Sequence, residues 1–386
     1  MPSRAFAERH PGLLALGGHP AVDMPPHVVE AASAAAARPT YAPTRGLPAL
    51  REAIAARMSR ELGRRVDPDA EVLVTLGGMQ GLYLAAQAFG TRSVTHAPAF
   101  FFPQIIAATG GSCTVTGGAD GPPDWGAFAA AIGAETTLAI VNTPVNPVGY
   151  VFRPADLDAI AAALARSDAL LLSDEAYAGL LYDGLVHRSP ASHPELAART
   201  LVLRSFSKTH AMAAWRVGFA VGPADAIERM AASLQWQALA IDGVAQAAAL
   251  AALSGPQDWI ERAIAELATV RPAAIAAANA GGVLHAELPE GCAFIWAALD
   301  GDEQDWSDRL ARLHGITALP GRHFAARAPR LRIPFGGRRD AREALLERLA
   351  SIRPDTARGT GAAGRSRRSG PGSPARTIVV RPPSTG

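Results

Sequence analysis

The chain has 386 residues, 49% of them apolar and 19% charged, so it is long enough for a large core or for two domains. Its formal net charge of +2 is close to neutral, so composition indicates neither nucleic-acid nor membrane binding. It contains no apolar run as long as a signal peptide or a membrane span.

In chain order, an irregular segment at 11–26 is followed by two predicted helices, 28–37 and 48–62. From residue 71, short apolar runs alternate with helical stretches. The predicted strands are 72–74, 93–96, 113–115, 138–141, 169–172, 200–203 and 217–221. The predicted helices among them are 79–89, 102–109, 125–132 and 154–166. This alternation is typical of an α/β fold with a mostly parallel sheet covered on both faces.

After residue 223 the chain is predicted to be helical, with a long helix at 256–280. Beyond it, four predicted strands and two helices form an α+β unit. The strands are 283–287, 293–297, 316–318 and 331–333, and the helices are 303–314 and 340–352. The predicted domains are an N-terminal segment, 1–37, that packs with the small domain, a large ligand-binding domain, 38–255, the small domain itself, 256–352, and a tail, 353–386.

The tail is predicted to be disordered. Residues 356–386 contain six arginines and no acidic residue, and they are rich in Gly, Pro and Ser. Such a segment buries too little apolar surface to offset its ordering entropy. A basic arm for nucleic acid or another partner is the alternative.

The two cysteines, Cys113 and Cys292, lie among apolar or small residues. They imply no disulfide framework and fit a reducing cytoplasm. No metal site is predicted.

Lys208 is the only lysine, and 36 of the 37 basic side chains are arginine. This pattern indicates amine chemistry, because an amine can lose its proton and form a Schiff base whereas a guanidinium stays charged. The alternative is a surface lysine that has persisted by chance.

Polar residues follow several predicted strands, where ligands bind in sheets of this kind. Gly77 and Gly78 open a helix and would let backbone N–H groups approach a phosphate. Their spacing excludes the dinucleotide fingerprint and the Walker loop. Residues 142–149 read N-T-P-V-N-P-V-G and residues 173–177 read S-D-E-A-Y. Plain turns and a helix cap are the alternative interpretations of these segments.

Ser205 lies three residues before Lys208, and Arg216 lies eight residues after it. A serine and an arginine at these offsets can reach one phosphate. A lysine for the aldehyde, a carboxylate for the pyridinium nitrogen and donors for the phosphate are together what pyridoxal phosphate requires. The sequence therefore predicts a pyridoxal phosphate site around Lys208.

On these motifs the chain resembles the class I/II aminotransferases, which are fold-type-I enzymes dependent on pyridoxal phosphate. The N-x-P-x-N-P-x-G loop, the D-E-x-Y strand end and the S-x-S-K motif with its later arginine occur in the family's order, and the resemblance covers residues 14–352. It implies a large domain with a mostly parallel seven-stranded sheet and a smaller α+β domain. It also implies transfer of an amino group from an L-amino acid to a 2-oxo acid by a ping-pong mechanism.

The resemblance implies roles for individual residues. Lys208 would hold the cofactor as a Schiff base and carry the substrate's α-proton. Asp174 would keep the pyridine nitrogen protonated, while Asn146 and Tyr177 would bind the phenolic oxygen and Phe100 would stack on the ring. The implied phosphate ligands are Gly78, Met79, Gln80, Ser205 and Arg216.

The substrate's α-carboxylate would be bound by Arg332, with Gly18 and Asn146 beside it. Tyr41 would reach the phosphate of a neighbouring subunit, so the resemblance implies a homodimer with shared active sites and no nucleic-acid or membrane partner. Ordinary packing of Phe100 and Tyr41, and a structural ion pair of Arg332, are the alternatives.

Four positions depart from the family's pattern. Phe100 stands where a tyrosine is usual, Met79 where a serine or threonine is usual, Val148 where a threonine is usual, and Ala214 where a glycine is usual. None removes an indispensable group, and together they indicate a divergent member with a specialised substrate.

Other readings stay open at the level of sequence. A lyase, cyclase or oxidase that uses pyridoxal phosphate would need the same residues around Lys208. A transcription regulator built on this fold would carry a DNA-binding domain ahead of it, and the sequence before Leu14 is too short for one. A nucleotide-binding module would require the glycine fingerprint that is missing.

Overall fold

The computed structural model of the chain describes residues 12–118, 121–354 and 378–380. The strands of this part are β1 (Leu16–Gly17), β2 (Val72–Thr75), β3 (Arg92–His96), β4 (Ser112–Thr116), β5 (Leu138–Asn142), β6 (Leu170–Asp174), β7 (Thr200–Ser205), β8 (Gly218–Val221), β9 (Leu284–Ala286), β10 (Phe294–Leu299), β11 (Leu319–Pro320), β12 (Arg330–Pro334), β13 (Gly336–Gly337) and β14 (Ile378–Val380). The α-helices are α1 (Pro26–Ala36), α2 (Pro48–Leu62), α3 (Gly77–Phe89), α4 (Phe102–Ala108), α5 (Trp125–Ala131), α6 (Pro154–Leu164), α7 (Phe206–Thr209), α8 (Ala224–Ala238), α9 (Gly243–Ser254), α10 (Asp258–Asn279), α11 (Glu303–His314) and α12 (Arg339–Ala350).

The large sheet has eight strands in the order β14-β4-β3-β5-β6-β7-β8-β2. The five strands β4, β3, β5, β6 and β7 run parallel to one another. The pairs β14–β4, β7–β8 and β8–β2 are antiparallel. Strand β5 is buried along its whole length because helices pack on both faces of the sheet. The predicted mostly parallel α/β fold is therefore confirmed.

The eighth strand corrects one prediction. Seven strands were predicted, but Ile378–Val380, which lies in the tail predicted to be disordered, pairs antiparallel with β4. Three consecutive β-branched residues suit an edge strand, and the overall composition of the tail conceals them. Residues 355–377 and 381–386 of the tail lie outside the described residues.

The C-terminal unit contains a four-stranded antiparallel sheet in the order β11-β12-β10-β9. Helices α10 and α12 pack with it around an apolar core. The strand predicted at 316–318 is wrong, because the ladder is made instead by Leu319 and Pro320. The carbonyl of Ala318 accepts a hydrogen bond from Ser307 Oγ at 2.8 Å, so that carbonyl has a side-chain partner.

The N-terminal segment contacts two parts of the molecule. Leu16 in β1 pairs with Gly337 in β13 on the C-terminal side of the molecule. Val28 and Ala32 of α1 pack instead in a core shared with Ala248 of α9. Residues 16–19 line the same cavity as Asn142 and Asp174, which end the parallel strands β5 and β6. No helix in the described part of the chain is long and apolar enough to cross a bilayer.

Candidate active site

A cavity of about 740 Å³ lies where the carboxyl ends of β5, β6 and β7 face the small domain. Parallel strands bring their ends to one edge of the sheet, which is where ligands bind in α/β folds. Most of the residues predicted from sequence line this cavity. They are Gly18, Gly78, Met79, Phe100, Asn146, Asp174, Tyr177, Ser205, Lys208, Arg216 and Arg332.

Lys208 lies in α7, the one-turn helix that follows β7, and its side chain is in the cavity. Burial lowers the pKa of its amine to about 8, and the positive charges of Arg332 and Arg216 act in the same direction. Its Nζ atom is 5.7 Å from the centre of the Tyr177 ring. The amine can therefore lose its proton near neutral pH, as a nucleophile or base must.

Asp174 ends β6 and lies opposite Asn142 in β5. Its Oδ1 accepts a hydrogen bond from Ala176 N at 3.0 Å. Burial raises the pKa of this carboxyl from 3.8 to about 6, and the neighbouring Glu175 acts in the same direction. An ionised Asp174 is costly in this position unless a cationic group faces it.

The opposite side of the cavity carries groups of the kind that bind a phosphate. Helix α3 begins at Gly77 without a side-chain cap, so its first N–H groups are free to donate. A Cβ atom at Gly77 would lie 2.7 Å from Arg216 Nη2, so only glycine allows the guanidinium this close to the helix start. Arg216 Nη1 donates to Ser207 Oγ at 3.3 Å, and Ser205 caps α7. Uncapped amides, a guanidinium and hydroxyls thus converge on one point.

Arg332 lies on β12 and is only 8% exposed. Its Nη1 donates to Asn146 Oδ1 at 3.1 Å, and its guanidinium carbon lies 4.4 Å from the ring centre of Phe294. Burial lowers its pKa to about 10, and its Nε has no hydrogen-bond partner. Among the described residues it forms no ion pair, so the buried cation is suited to an external carboxylate.

The two aromatic residues predicted to contact the cofactor both reach the cavity. Phe100 stacks on Phe324 at 4.5 Å between ring centres, so one face of its ring is occupied by protein. Tyr177 meets Phe294 edge to face at 5.7 Å. Burial raises the pKa of the Tyr177 hydroxyl, which therefore stays protonated and acts as a hydrogen-bond donor.

Two predicted site residues do not line the cavity. Gln80 turns back to its own helix start, where its Oε1 accepts from Leu76 N at 2.8 Å. The side chain of Gln80 therefore binds within its own helix, while its position in the first turn of α3 keeps its backbone near Arg216 and Ser205, so its predicted contact with a phosphate stays a prediction. Tyr41 is 83% exposed and lies outside this chain's cavity.

Several lining residues were not in the predicted set, and three of them bear directly on the chemistry of the site. Asn142 ends β5 and its buried Oδ1 has no hydrogen-bond partner in the part of the chain that the structure describes. Ser207 is the second serine of the S-x-S-K motif, so its position in the sequence was a usable signal. Phe294 presses on Gly18, where a Cβ atom would lie 2.3 Å from Phe294 Cζ. No local pattern indicates that contact, because the two residues are far apart in the chain.

A buried network of ion pairs lies next to Asp174 and Ser205 and is formed by residues that neighbour them in the chain. The carboxylate of Glu175 accepts hydrogen bonds from Arg204 Nη2 at 2.8 Å and is 2.9 Å from His187 Nε2. Burial alone would raise the pKa of Glu175, but the Coulombic effects of His187 and Arg204 lower it to about 2. Since Glu175 follows Asp174 and Arg204 precedes Ser205, this pair joins the two strand ends that carry site residues.

We expect Arg204→Gln to reduce the free energy of unfolding by about 3–5 kcal/mol, because it removes the guanidinium from the buried Glu175 carboxylate and leaves His187 as its one charged partner among the described residues. Urea denaturation at pH 7 measures this change. The matched control is Arg338→Gln, which removes an ion pair with Asp23 whose side chains are 62% and 88% exposed, and which should leave the midpoint unchanged. Equal midpoints for both variants would contradict the role of the buried pair.

These residues fit pyridoxal phosphate. The buried cavity offers an amine of lowered pKa, a carboxylate that burial leaves in need of a cation, and a cradle of free N–H groups beside Arg216. The unsatisfied Asn142 Oδ1 is a further polar atom that a bound group can satisfy.

Comparison with known proteins agrees with this chemistry. The family model for class I and II aminotransferases matches residues 16–349. The chain is 34% identical over 353 residues to an aspartate/prephenate aminotransferase of Thermus thermophilus, covering 87% of this chain and 89% of the relative.

Solved structures give the same result. A methionine aminotransferase of Escherichia coli superposes with a TM-score of 0.82 at 28% identity, covering 90% of this chain and 95% of the other. An aromatic aminotransferase of Pyrococcus horikoshii superposes with a TM-score of 0.81 at 28% identity, over 86% of this chain and 93% of the other. The chain belongs to the class I and II aminotransferases and is an enzyme of that pyridoxal-phosphate-dependent family.

Proposed function

We propose that the chain transfers the α-amino group of an amino acid to a 2-oxo acid at the cavity around Lys208, and that it does so as a homodimer. The observation that carries the proposal is the pairing of two sites in one cavity. One joins Lys208, Asp174 and the start of α3, and the other is the buried Arg332 with no carboxylate partner among the described residues. The first suits the cofactor and the second suits a substrate's α-carboxylate.

Each residue has a distinct task in this proposal. Bound pyridoxal phosphate supplies an electron sink for the substrate's α-carbon. Asp174 would hold a proton on the pyridine nitrogen, and Tyr177 would donate a hydrogen bond to the phenolic oxygen. Arg332 fixes the carboxylate, which leaves the Cα–H bond within reach of the Lys208 amine as the proton carrier.

Asn146 links the two sites, because its Oδ1 accepts from Arg332 Nη1 while its Nδ2 remains available to a second acceptor. Gly18 borders the same space and is kept small by Phe294. The hydrogen bond between Asn146 and Arg332 therefore couples the binding of a substrate carboxylate to the orientation of the cofactor ring. Lyase, cyclase and oxidase chemistry on the same residues has no separate support in the molecule.

Single-turnover chemistry tests the proposed reaction. Holoprotein mixed with an amino acid and no 2-oxo acid should release one equivalent of the matching 2-oxo acid per site and no ammonia. The amino group should then leave only when a second 2-oxo acid is added. Release of ammonia in the first step would show elimination or oxidation and would contradict transamination.

Exposed apolar residues support a homodimer. Trp236 on α8 is 89% exposed and Leu239 just after it is 51% exposed. Tyr41 lies on a neighbouring segment, because a Cβ atom at Gly243 would be 3.8 Å from Thr40 O. Large exposed apolar side chains on adjacent segments are typical of a protein–protein interface.

We expect Trp236→Arg to convert the dimer to monomer in sedimentation, because the substitution places an unpaired charge in the interface. The matched control is Leu313→Arg, at a 60% exposed position on α11, which should leave the dimer intact. If neither change affects the sedimentation coefficient of a dimer, α8 does not form its interface.

Tyr41→Phe tests whether the active sites are shared. Loss of a hydrogen bond to a charged phosphate should weaken cofactor retention by about tenfold or more.

Complementation gives a second test of shared sites. When subunits of Lys208→Ala and of an impaired Tyr41 variant are mixed and allowed to exchange, activity should recover, since one site of each mixed dimer is intact. Lys208→Ala with Arg216→Ala should not recover, because both residues come from one chain. Absence of recovery in proven heterodimers would show that Tyr41 serves its own subunit or none.

The proposed compartment is the cytoplasm. Cys113 and Cys292 are both buried and unpaired, and burial raises the pKa of Cys113 to about 12, which keeps it an unreactive thiol. Unpaired cysteines of this kind are typical of proteins in a reducing compartment.

A further inference from the structure

The face of the small sheet that carries Arg332 is otherwise apolar where it borders the cavity. In the antiparallel ladder Arg332 lies opposite Leu319 on β11 and opposite Trp296 on β10. Directly opposed residues share one face of a sheet and touch one another. Phe294 and Pro334 lie on the same face by alternation and also line the cavity. A group next to a carboxylate on Arg332 therefore meets apolar side chains.

The charges in the cavity are already assigned. Among the described lining residues the charged side chains are Asp174, Lys208, Arg216 and Arg332. The first three surround the proposed cofactor site, which leaves Arg332 as the one substrate-facing charge in the described lining that this chain supplies. His19 also lines the space, but burial lowers its pKa, so it is neutral near pH 7. Neither a second arginine nor another lysine of the described lining faces a distal carboxylate.

A second cavity of about 350 Å³ continues beyond the same wall. Four residues border both cavities, namely Phe100, Phe101, Thr317 and Leu319. The described lining of the outer cavity mixes polar and apolar residues, and its one acidic side chain is Asp308. A substrate that extended outward past Leu319 would carry its side chain toward a carboxylate. The negative charge of Asp308 would therefore repel a second carboxylate on a substrate that extended into the outer cavity.

We propose that this site selects amino acids with uncharged, apolar side chains, bound against Leu319, Phe101 and Phe294, and discriminates against dicarboxylic amino acids. The inference rests on the proposed function, because it takes Arg332 as the α-carboxylate site. An apolar subsite gains from each buried carbon, whereas a carboxylate buried there without a cation loses its hydration.

Ligands without an amino group test the inference without turnover. We expect 3-phenylpropanoate to bind the holoprotein at least about 100-fold more tightly than succinate in calorimetric titration. Turnover should show the same preference. We expect kcat/KM for phenylalanine or methionine to exceed kcat/KM for aspartate by about 100-fold. Succinate binding as tightly as 3-phenylpropanoate, with Arg332→Gln abolishing both, would overturn the inference and leave the proposed function standing. Failure of both ligands to bind would overturn the Arg332 assignment as well.

A truncation locates the subsite. Leu319→Ala should lower the affinity for 3-phenylpropanoate by about tenfold or more and leave the affinity for propanoate unchanged, because only the larger ligand reaches that side chain. The matched control is Leu288→Ala, which makes the same truncation at a 48% exposed position outside the cavity and should change neither affinity. Equal affinities of 3-phenylpropanoate for Leu319→Ala and the unaltered protein would show that Leu319 does not form the subsite.

Discussion

Lys208→Ala is expected to lose transamination by about 10³-fold or more, because it removes both the covalent anchor and the proton carrier. The unaltered holoprotein should absorb in the visible, lose that band on borohydride reduction and yield one modified peptide containing Lys208. The mass spectrum is unusually clear here, since Lys208 is the only lysine in the chain. The variant should retain the cofactor only non-covalently and yield no modified peptide.

The control separates covalent chemistry from charge. Lys208→Arg keeps a cation of similar length, but a guanidinium neither forms a Schiff base nor gives up its proton near neutral pH. It should be as inactive as the alanine variant, and a small added amine should restore part of the activity of Lys208→Ala alone. Substantial turnover by Lys208→Arg would reduce the role of this residue to electrostatics.

The parallel sheet was predictable because its strands are buried on both faces. Strand β5 is apolar from Leu138 to Val141 and then changes to Asn142, so the sequence marks both the strand and the point at which it reaches the cavity. The same reasoning places Asp174 at the end of β6. Sites formed at strand ends are thus encoded locally, by the change from apolar to polar residues.

Contacts between distant segments were not predictable in this way. Glu175 and Arg204 each follow a local strand pattern, yet nothing in either pattern indicates that they form a buried pair. The close approach of Phe294 to Gly18 depends on how the N-terminal segment crosses the small domain. Strand β14 was missed because an argument from composition averages over a long tail and hides a three-residue run. Tyr41 shows a further limit, since its proposed partner belongs to a second chain.

Asp174→Asn is expected to reduce transamination by about 10²–10⁴-fold while the cofactor remains bound through the phosphate site. The substitution keeps the shape and the acceptor that Ala176 N uses. It removes the charge that is proposed to hold a proton on the pyridine nitrogen. Near-normal transamination by this variant would contradict the assigned role of Asp174.

Stability provides a second measurement, independent of turnover. Burial raises the folded-state pKa of Asp174 from 3.8 to about 6 in the protein alone. The folded state therefore binds more protons than the unfolded state across this range, and stability is lost as the pH rises from 3.8 through 6. This difference in pKa lowers the free energy of unfolding by at most about 3 kcal/mol above pH 6. The Asp174→Asn variant does not lose this stability, because its amide cannot ionise.

Apoprotein of Asp174→Asn should accordingly unfold at higher urea concentration than unaltered apoprotein at pH 7.5, and the two midpoints should converge as the pH falls toward 4. Addition of pyridoxal phosphate should reverse the order, because the bound pyridinium faces the carboxylate in the unaltered protein but only an amide in the variant. A variant apoprotein less stable at every pH would show that Asp174 is ionised and satisfied by protein groups alone. That outcome would leave its negative charge unavailable to the cofactor, which is the opposite of what the buried, singly hydrogen-bonded carboxylate at the end of β6 indicates.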